Sequence, residues 1–405
     1  TSSNRQAGPP PFPPPPSVVG RRLLLLAEAV TSSDPPEVLM SRTVATPLCL
    51  AAPPAPPKRQ LLTSKSGGAA SGTRFRAVSY NILSEIYATG QMYPYTDFWA
   101  LQFDYRFKNL QRELAGVDGD VVCLQEVQSD HYGSHVAPFM ASLGYDGQYK
   151  QKTRDAMGMA GKVDGCAIFW KRSRVQVVEG YAVEFNELAR RQAEEMGMDP
   201  RKDDTAHYLN RLQKDNVAQI TVLEFIDPST RAPLPSGRLC VVNTHFYSNK
   251  DHPDIKLWQA WQLVSAVESY AVPQNLPVLL CGDLNSTPTS AVYDLLSNRA
   301  VHPGHPDLGP TPSDLFPPLD RLTHSLPLRS AYATVTGDEP PFTNYTGGFV
   351  GCLDYMFYTD PSLRPLSVAA VHQEDDIKEY GRALPNTQFS SDHCLMMADM
   401  CLGGR

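Results

Sequence analysis

Among the eight cysteines of this 405-residue chain there is no C-x-x-C pair. They are spaced widely, most of them inside apolar runs such as VVCLQEV and LLCGDLN, where a thiol acts as a small buried hydrophobe. This argues against a disulfide framework or a zinc site and points to a reducing compartment, cytosol or nucleus. Long hydrophobic runs are missing as well. No stretch reaches about 18 apolar residues, so no membrane span is expected. No repeat with a period of about 20–50 residues occurs, leucine-rich repeats included, which excludes a solenoid. Positive charge is scarce: the formal net charge is −7, and because residues 1–70 hold seven Lys/Arg against three Asp/Glu, the rest carries −11. A net-negative body argues against nucleic-acid binding through bulk charge, and DNA is not an expected partner. Bound cations or a local basic groove would have to attract any phosphodiester.

What is abundant first is proline. Fourteen of the 36 prolines precede residue 58, in stretches such as PPPFPPPP, and the tract ends in SKSGGAASGT (64–73). Such a segment cannot offset its ordering entropy by burial, so residues 1–73 are expected to be disordered. Arg21-Arg22 followed by four leucines hints at a targeting signal, but Glu28 cuts that run short.

From Phe75 the texture changes. Short apolar runs recur as FRAVSYNIL (75–83), DVVCLQEV (120–127), GCAIFWK (165–171), AQITVLEF (218–225), RLCVVNTHF (238–246), VLLCGDLN (278–285) and CLDYMFY (352–358). Apolar on both faces, each reads as a buried strand. Helical patterns lie between them, at 103–114, 254–270 and 290–296. The pattern predicts one α/β domain over residues 74–405. The acidic run 374–376 reads as a solvated loop.

The chemistry gathers where strands end. Asn81, Glu126, His245, Asp283, Asn285, Asp354, Asp392 and His393 all read as lying at or just beyond the C-terminal end of an apolar strand. Ligand sites of α/β sheets collect there. Each residue alone also has a plain structural reading, as a turn former, a cap or half of a structural pair. Together, carboxylates and amides are hard oxygen ligands suited to magnesium, and a histidine beside them can move a proton. That combination favours metal-assisted phosphodiester hydrolysis.

The motifs SYNIL, LQEV, DGCAIFW, NTH, GDLNS, LDYMFY and SSDH occur in the order found in the exonuclease–endonuclease–phosphatase superfamily. Within it the chain resembles the carbon catabolite repressor deadenylases, the poly(A) nuclease subunit of the Not complex. NRLQKDNVA (210–218), DIKLWQ (254–259), RLTHSLPLRSAY (321–332) and FTNYT (342–346) extend the match, and the wording of DIKLWQ and RLTHSLPL is most like the plant-type branch without leucine-rich repeats.

The resemblance implies a four-layer α/β sandwich of two mixed sheets flanked by helices. It implies an Mg²⁺-dependent 3′→5′ exoribonuclease, with Mn²⁺ as a substitute, that shortens poly(A) tails of mRNA and releases 5′-AMP. Implied partners are a companion deadenylase and Not-complex subunits, in the cytoplasm or also the nucleus. Glu126, Asn81 and Asp392 would hold metal; Asp283 would orient or deprotonate the attacking water. Asn285, Asn81 and His245 would contact phosphate, and Phe349 would stack on adenine. His393 would stabilise the developing charge, with Asp354 fixing its tautomer. In the better-known animal and fungal pattern the loop after the Thr-His pair carries a Trp and then a Pro against the adenine, where this chain has Ser248 and Lys250. Gly347-Gly348 stand where that pattern has an aromatic and an acid before the retained Phe349. Two other readings stay open: a superfamily phosphatase or phosphodiesterase acting on a dinucleotide or 2′,5′-oligonucleotide, and a catalytically silent scaffold.

Overall fold

In the computed structural model, residues 16–50, 57–64, 72–153, 162–309, 315–316 and 321–403 are described. Among the described residues, seventeen strands form two large sheets and two small ones. The N-terminal ribbon pairs β1 (Arg22–Val30) with β2 (Val38–Leu48). The seven-stranded sheet contains β3 (Leu61–Thr63), β4 (Thr73–Asn81), β5 (Val121–Gln128), β6 (Tyr145–Gln151) and β7 (Asp164–Lys171), with β16 (Leu363–Ala369) and β17 (Met396–Leu402); its order is β3-β16-β17-β4-β5-β7-β6. The six-stranded sheet contains β8 (Val175–Glu184), β9 (Val217–Ile226), β10 (Pro233–His245) and β11 (Val278–Asp283), with β12 (Leu328–Ser330) and β15 (Asp354–Thr359), in the order β12-β15-β11-β10-β9-β8. A two-residue pair, β13 (Asn344–Tyr345) with β14 (Val350–Gly351), caps one end.

Side-chain alternation along these strands produces the layers. On β10, Leu239 and Val241 point into a core shared by both sheets, while Cys240 and Val242 point outward beneath the helix Pro253–Ala271. On β5, Val121 and Cys123 enter the same inter-sheet core, and Val122 and Leu124 pack with Leu110 and Leu114 of the helix Phe103–Val117. Both faces of each central strand are therefore dry, as the continuous apolar runs require. The sandwich expected from the resemblance is the architecture observed. Among the described residues, no helix is long and apolar enough to cross a membrane.

Three expectations change. Within the stretch expected to be disordered, β1 and β2 form an antiparallel ribbon, and β3 adds an edge strand to the seven-stranded sheet by pairing with Ser367–Ala369. Leu62 of β3 packs on the inter-sheet core, so a local Leu-Leu pair next to an open sheet edge outweighs the composition around it. Residues 1–15, 51–56 and 65–71 lie outside the described residues. Glu374-Asp375-Asp376 open a helix, Glu374–Tyr380, rather than sitting in a loop; Gln373 and Asp376 form a capping box, and three acids suit the positive end of a helix. Finally, not every site residue follows a strand.

Candidate active site

Strand direction explains how eight residues, distant in sequence, meet at one edge. The parallel pairs β4–β5 and β10–β11 deliver Asn81, Glu126, His245 and Asp283 at their C-terminal ends. The antiparallel neighbours β15 and β17 run the other way, so the same edge receives their beginnings. Asp354 is the first residue of β15, directly opposite Asp283, while Asp392 and His393 precede β17. These three thus correct the expectation that all the polar residues end strands.

The carboxylate of Asp283 is the hub. Its Oδ2 accepts the amide of Asn81 at 3.0 Å and lies 3.5 Å from Nε2 of both His245 and His393. Its Oδ1 accepts the backbone N–H of Asn285 at 2.9 Å. Asn81 also donates to Glu126 Oε1 at 3.1 Å, and its carbonyl accepts the backbone N–H of Leu83, so its amide ties the two carboxylates together. Glu126 Oε2 accepts the backbone N–H of Ser84 at 2.9 Å. Glu126 (φ 55°) and Asn285 (φ 47°) both adopt the left-handed conformation, uncommon for residues with a Cβ, and Glu126 falls where the β5–β7 register slips. That bulge turns its carboxylate into the cleft.

His393 Nδ1 and Asp354 Oδ2 are 2.7 Å apart, and Thr343 Oγ1 donates to the same oxygen at 2.6 Å. Burial pulls the His393 imidazole down, but Asp354, Asp283 and Asp392 outweigh it and hold its pKa well above the usual histidine range. His245 goes the other way, to about 4, through burial and the nearby Lys152 ammonium. Glu126 is pushed up to about 7 by loss of solvent and by Asp164 and Asp392. Asp392 Oδ2 accepts from Tyr93 and Asn344, while its Oδ1 is buried without a hydrogen-bond partner among the described residues. An uncompensated carboxylate and an orphaned carboxylate oxygen, both hard donors, fit a divalent cation held by Glu126 and Asp392. The tightest possible ligand group among the described residues is a different one, Asp283, Asp354 and His393, whose donor atoms lie within 4.8 Å of one another.

Asn285 donates its side-chain amide to Phe246 O at 3.0 Å, so one of its two N–H groups is committed to the scaffold. The helix N-cap nearby is Ser290, not Asn285. Phe349 is 40% exposed on the β13–β14 turn and lines the cleft, which removes its reading as a core residue. Its ring lies over Gly351, where a Cβ would come within 2.7 Å of it. The Tyr95 ring fills the space beside Gly347.

The residue assignments from sequence omit several buried partners that hold these side chains in place. Lys152 and Asp164 form a buried ion pair at 2.7 Å, and Tyr87 donates to Asp164 at 3.0 Å. Although burial opposes it, Lys152 holds Asp164 below the usual carboxylate range. Asn243 joins the sheets, accepting from Gln125 at 2.8 Å and donating to the carbonyls of Leu124 and Ala167. Asn216 donates to His245 O at 2.9 Å. Asp164, Asn216, Asn243 and Thr343 all lie in the quoted motif stretches, so the motifs carried the signal and the role assignment missed it. The cleft encloses about 630 Å³ and is lined by exposed Lys250, half-buried Lys214 and buried Lys256, whose Nζ donates to Asn285 O at 2.7 Å, a local basic group on an acidic chain.

A model of the endonuclease/exonuclease/phosphatase family matches residues 78–393. The carbon catabolite repressor protein 4 homolog 1 of Arabidopsis thaliana is 40% identical over 346 residues, covering 80% of this chain and 57% of that protein. The CCR4-Not complex 3′-5′-exoribonuclease subunit Ccr4 of Mycosarcoma maydis is 34% identical over 359 residues, covering 82% and 51%. The chain spans about half the length of the curated relatives it matches. Among solved structures, ANGEL2, described as a 2′,3′-cyclic phosphatase, is similar with TM-score 0.66 and 28% identity, over 85% of this chain and 99% of that one. With its order of motifs and its polar strand-end cluster, the chain belongs to the endonuclease/exonuclease/phosphatase family, and within it the similarity is to proteins of the carbon catabolite repressor type.

Proposed function

We propose that this chain is a divalent-metal-dependent 3′→5′ exoribonuclease that removes adenosines from poly(A) tails and releases 5′-AMP. The observation that carries the reading is the arrangement of Asp283 between two histidines, one held neutral and one held charged, in a cleft that Lys214, Lys250 and Lys256 also line. Glu126 and Asp392 would hold Mg²⁺, or Mn²⁺ in its place, which when bound neutralises phosphoryl charge.

The protein's own groups supply the rest. Asp283 Oδ2, held by Asn81, accepts the proton of an attacking water or fixes its orientation. His393 is an imidazolium kept in one tautomer by Asp354, and its Nε2–H is aimed at the charge that develops on the phosphate. Neutral His245 donates a hydrogen bond without adding charge. Asn285 contacts the scissile phosphate with its uncommitted N–H. The exposed face of Phe349 takes a base, a contact worth about 1–3 kcal/mol. The three lysines supply the attraction that the −7 chain as a whole does not. We place the protein with Not-complex subunits and a companion deadenylase, in cytoplasm or nucleus, on the similarity to such subunits in other organisms.

A second reading is favoured by one observation, the similarity to a 2′,3′-cyclic phosphatase at 28% identity. One experiment separates them: incubate a labelled A-tailed RNA and the same RNA ending in a 2′,3′-cyclic phosphate, with Mg²⁺ and with excess EDTA, and resolve the products. Stepwise shortening with 5′-AMP release, abolished by EDTA and by Glu126→Ala, is expected. Opening of the cyclic phosphate without shortening would favour the second reading. Inertness on both substrates would mark a silent scaffold.

A further inference from the structure

A second cavity, of about 340 Å³, shares no lining residue with the catalytic cleft. It lies beside the outer face of the seven-stranded sheet, between the helix Phe103–Val117, the chain entering β3 and the segment around Phe389. Arg59 is its unusual member. Its Nε donates to Ala370 O at 3.0 Å, which fixes the plane of the guanidinium. Its Nη1 and Nη2 are buried and have no hydrogen-bond partner among the described residues. A guanidinium offers five N–H donors in a rigid fork matched to carboxylate or phosphate oxygens, and a buried charged group without acceptors is costly.

The other charges around the cavity leave a positive surplus. Arg76 is engaged with Asp399 through Nε at 2.7 Å and Nη2 at 3.2 Å. Among the described residues Glu113 is the sole acid in the lining; it faces Arg59 and shares a hydrogen bond with Tyr80. Against it stand Lys58 and Arg59. His372 adds no charge, since burial and Arg59 push its pKa down to about 3. Asn109 and Gln388 are the polar uncharged members of the lining, and Leu61, Val117, Met397 and Phe389 form its apolar part; the Phe389 ring centroid is 4.2 Å from that of His372. That apolar part suits a flat apolar body.

We propose that this cavity is a binding site for a small organic anion, a carboxylate or phosphomonoester carried on a flat apolar body. Arg59 takes the anionic oxygens through Nη1 and Nη2, Lys58 adds attraction from the side, and Phe389 with Met397 covers the body. The site stands independently of the activity proposed above.

The test uses isothermal titration calorimetry on the full chain in EDTA, with benzoate, phenyl phosphate and inorganic phosphate as probes. Benzoate or phenyl phosphate should bind one site per chain, at least tenfold more tightly than inorganic phosphate, which lacks the apolar body. Binding should be unchanged in His393→Ala and weakened at least tenfold in Arg59→Gln. Gly116→Leu gives a second arm: Gly116 lines the cavity, and a Cβ there meets nothing within 4 Å, so a leucine obstructs the opening without touching Arg59 and favours the helix. It too should weaken binding at least tenfold. The proposal is overturned if no probe binds at millimolar concentration (water alone then satisfies Arg59), if both cavity variants bind like wild type, or if His393→Ala removes the binding.

Discussion

His245 and His393 stand in one cleft, both buried, each with Nε2 3.5 Å from the same oxygen of Asp283, yet one is held neutral and the other charged. The difference lies at the other ring nitrogen. Nδ1 of His393 meets Asp354, whereas Nδ1 of His245 is buried with no hydrogen-bond partner among the described residues and the ring lies near the Lys152 ammonium. Desolvation acts on both rings and favours the neutral form, so the neighbouring charges decide. One fold edge thus holds an acid on the β17 side and a neutral donor on the β10 side, around a carboxylate that serves both.

The largest predicted effect breaks this asymmetry at its charged half. His393→Ala should lower turnover of A-tailed RNA by about 10²–10⁴-fold, the range for losing a positioned proton-transfer group. Asp354→Asn should lose nearly as much, because an amide neither stabilises the imidazolium nor fixes the same tautomer, and the double variant should be no worse than His393→Ala alone. His245→Ala removes a neutral hydrogen bond and should cost about tenfold, as expected for roughly 1–1.5 kcal/mol. Initial rates decide: equal losses at the two histidines would erase the distinction, and a wild-type rate for Asp354→Asn would make that pair structural.

The neutral half can be attacked through Lys152. Lys152→Met leaves Asp164 buried without its cation and should destabilise the protein by about 3–5 kcal/mol in urea unfolding. Lys152→Met with Asp164→Leu removes both charges and should recover most of that loss. A double variant as unstable as the single one would show that the pair acts through packing instead.

How legible all this was depends on whether the determining contacts are local. The seven apolar runs named from sequence all proved to be strands, because burial on both faces is written in each run itself. Strands β6, β8, β16 and β17 were missed: YDGQYKQ and VQVVEGYAVE are edge strands with mixed exposure, and the central LRPLSVA and MMADMCL are interrupted by Pro365 and Asp399, so none is continuously apolar. β3, three residues long, is ordered by a partner more than 300 residues away, which no local pattern can reveal. At the site, the identities of Asp283, Asp354 and His393 were readable from ordered motifs, but strand direction was not, so Asp354 and His393 were placed at strand ends rather than beginnings. Lys152 was invisible because its meaning depends wholly on facing Asp164 across the sheet.

His372, a third buried histidine, sharpens the comparison outside the cleft. Its pKa is lowered to about 3, so the folded protein binds no proton there while the unfolded chain takes one up near the ordinary value of about 6.5. Stability should therefore be lost as the pH falls below about 6.5, by roughly 2 kcal/mol at pH 5 from this residue. His372→Phe should narrow the stability gap between pH 7.5 and pH 5 by that amount, read from urea unfolding at each pH. An unchanged gap would mean that His372 is charged or solvated in the folded state. His245, also lowered, should add a loss of the same sign, and His393, raised, should not.

The smallest effect concerns a lysine that lines the cleft with His245 and His393. Lys250 is exposed and lines the cleft with Ser248 and Phe349, at the position where the resemblance implies an apolar wall against adenine. Gly348 leaves open space around its Cβ position, so the wall is not rebuilt from that side. A base here keeps the stacking face of Phe349 and loses part of its clamp. Stacking accepts any base, whereas fitted walls reject wrong ones. The chain should therefore prefer poly(A) over poly(U) and poly(C) by a modest margin. Lys250→Pro should widen that margin while flattening the dependence of binding on log salt by about one unit, since one phosphate-contacting cation is lost. Initial rates on A-, U- and C-tailed RNAs, with binding measured across a salt series, test both halves. Near-absolute adenine selectivity in the wild type, unchanged by the substitution, would show that Lys250 is spectator surface and that the cleft discriminates bases by other means.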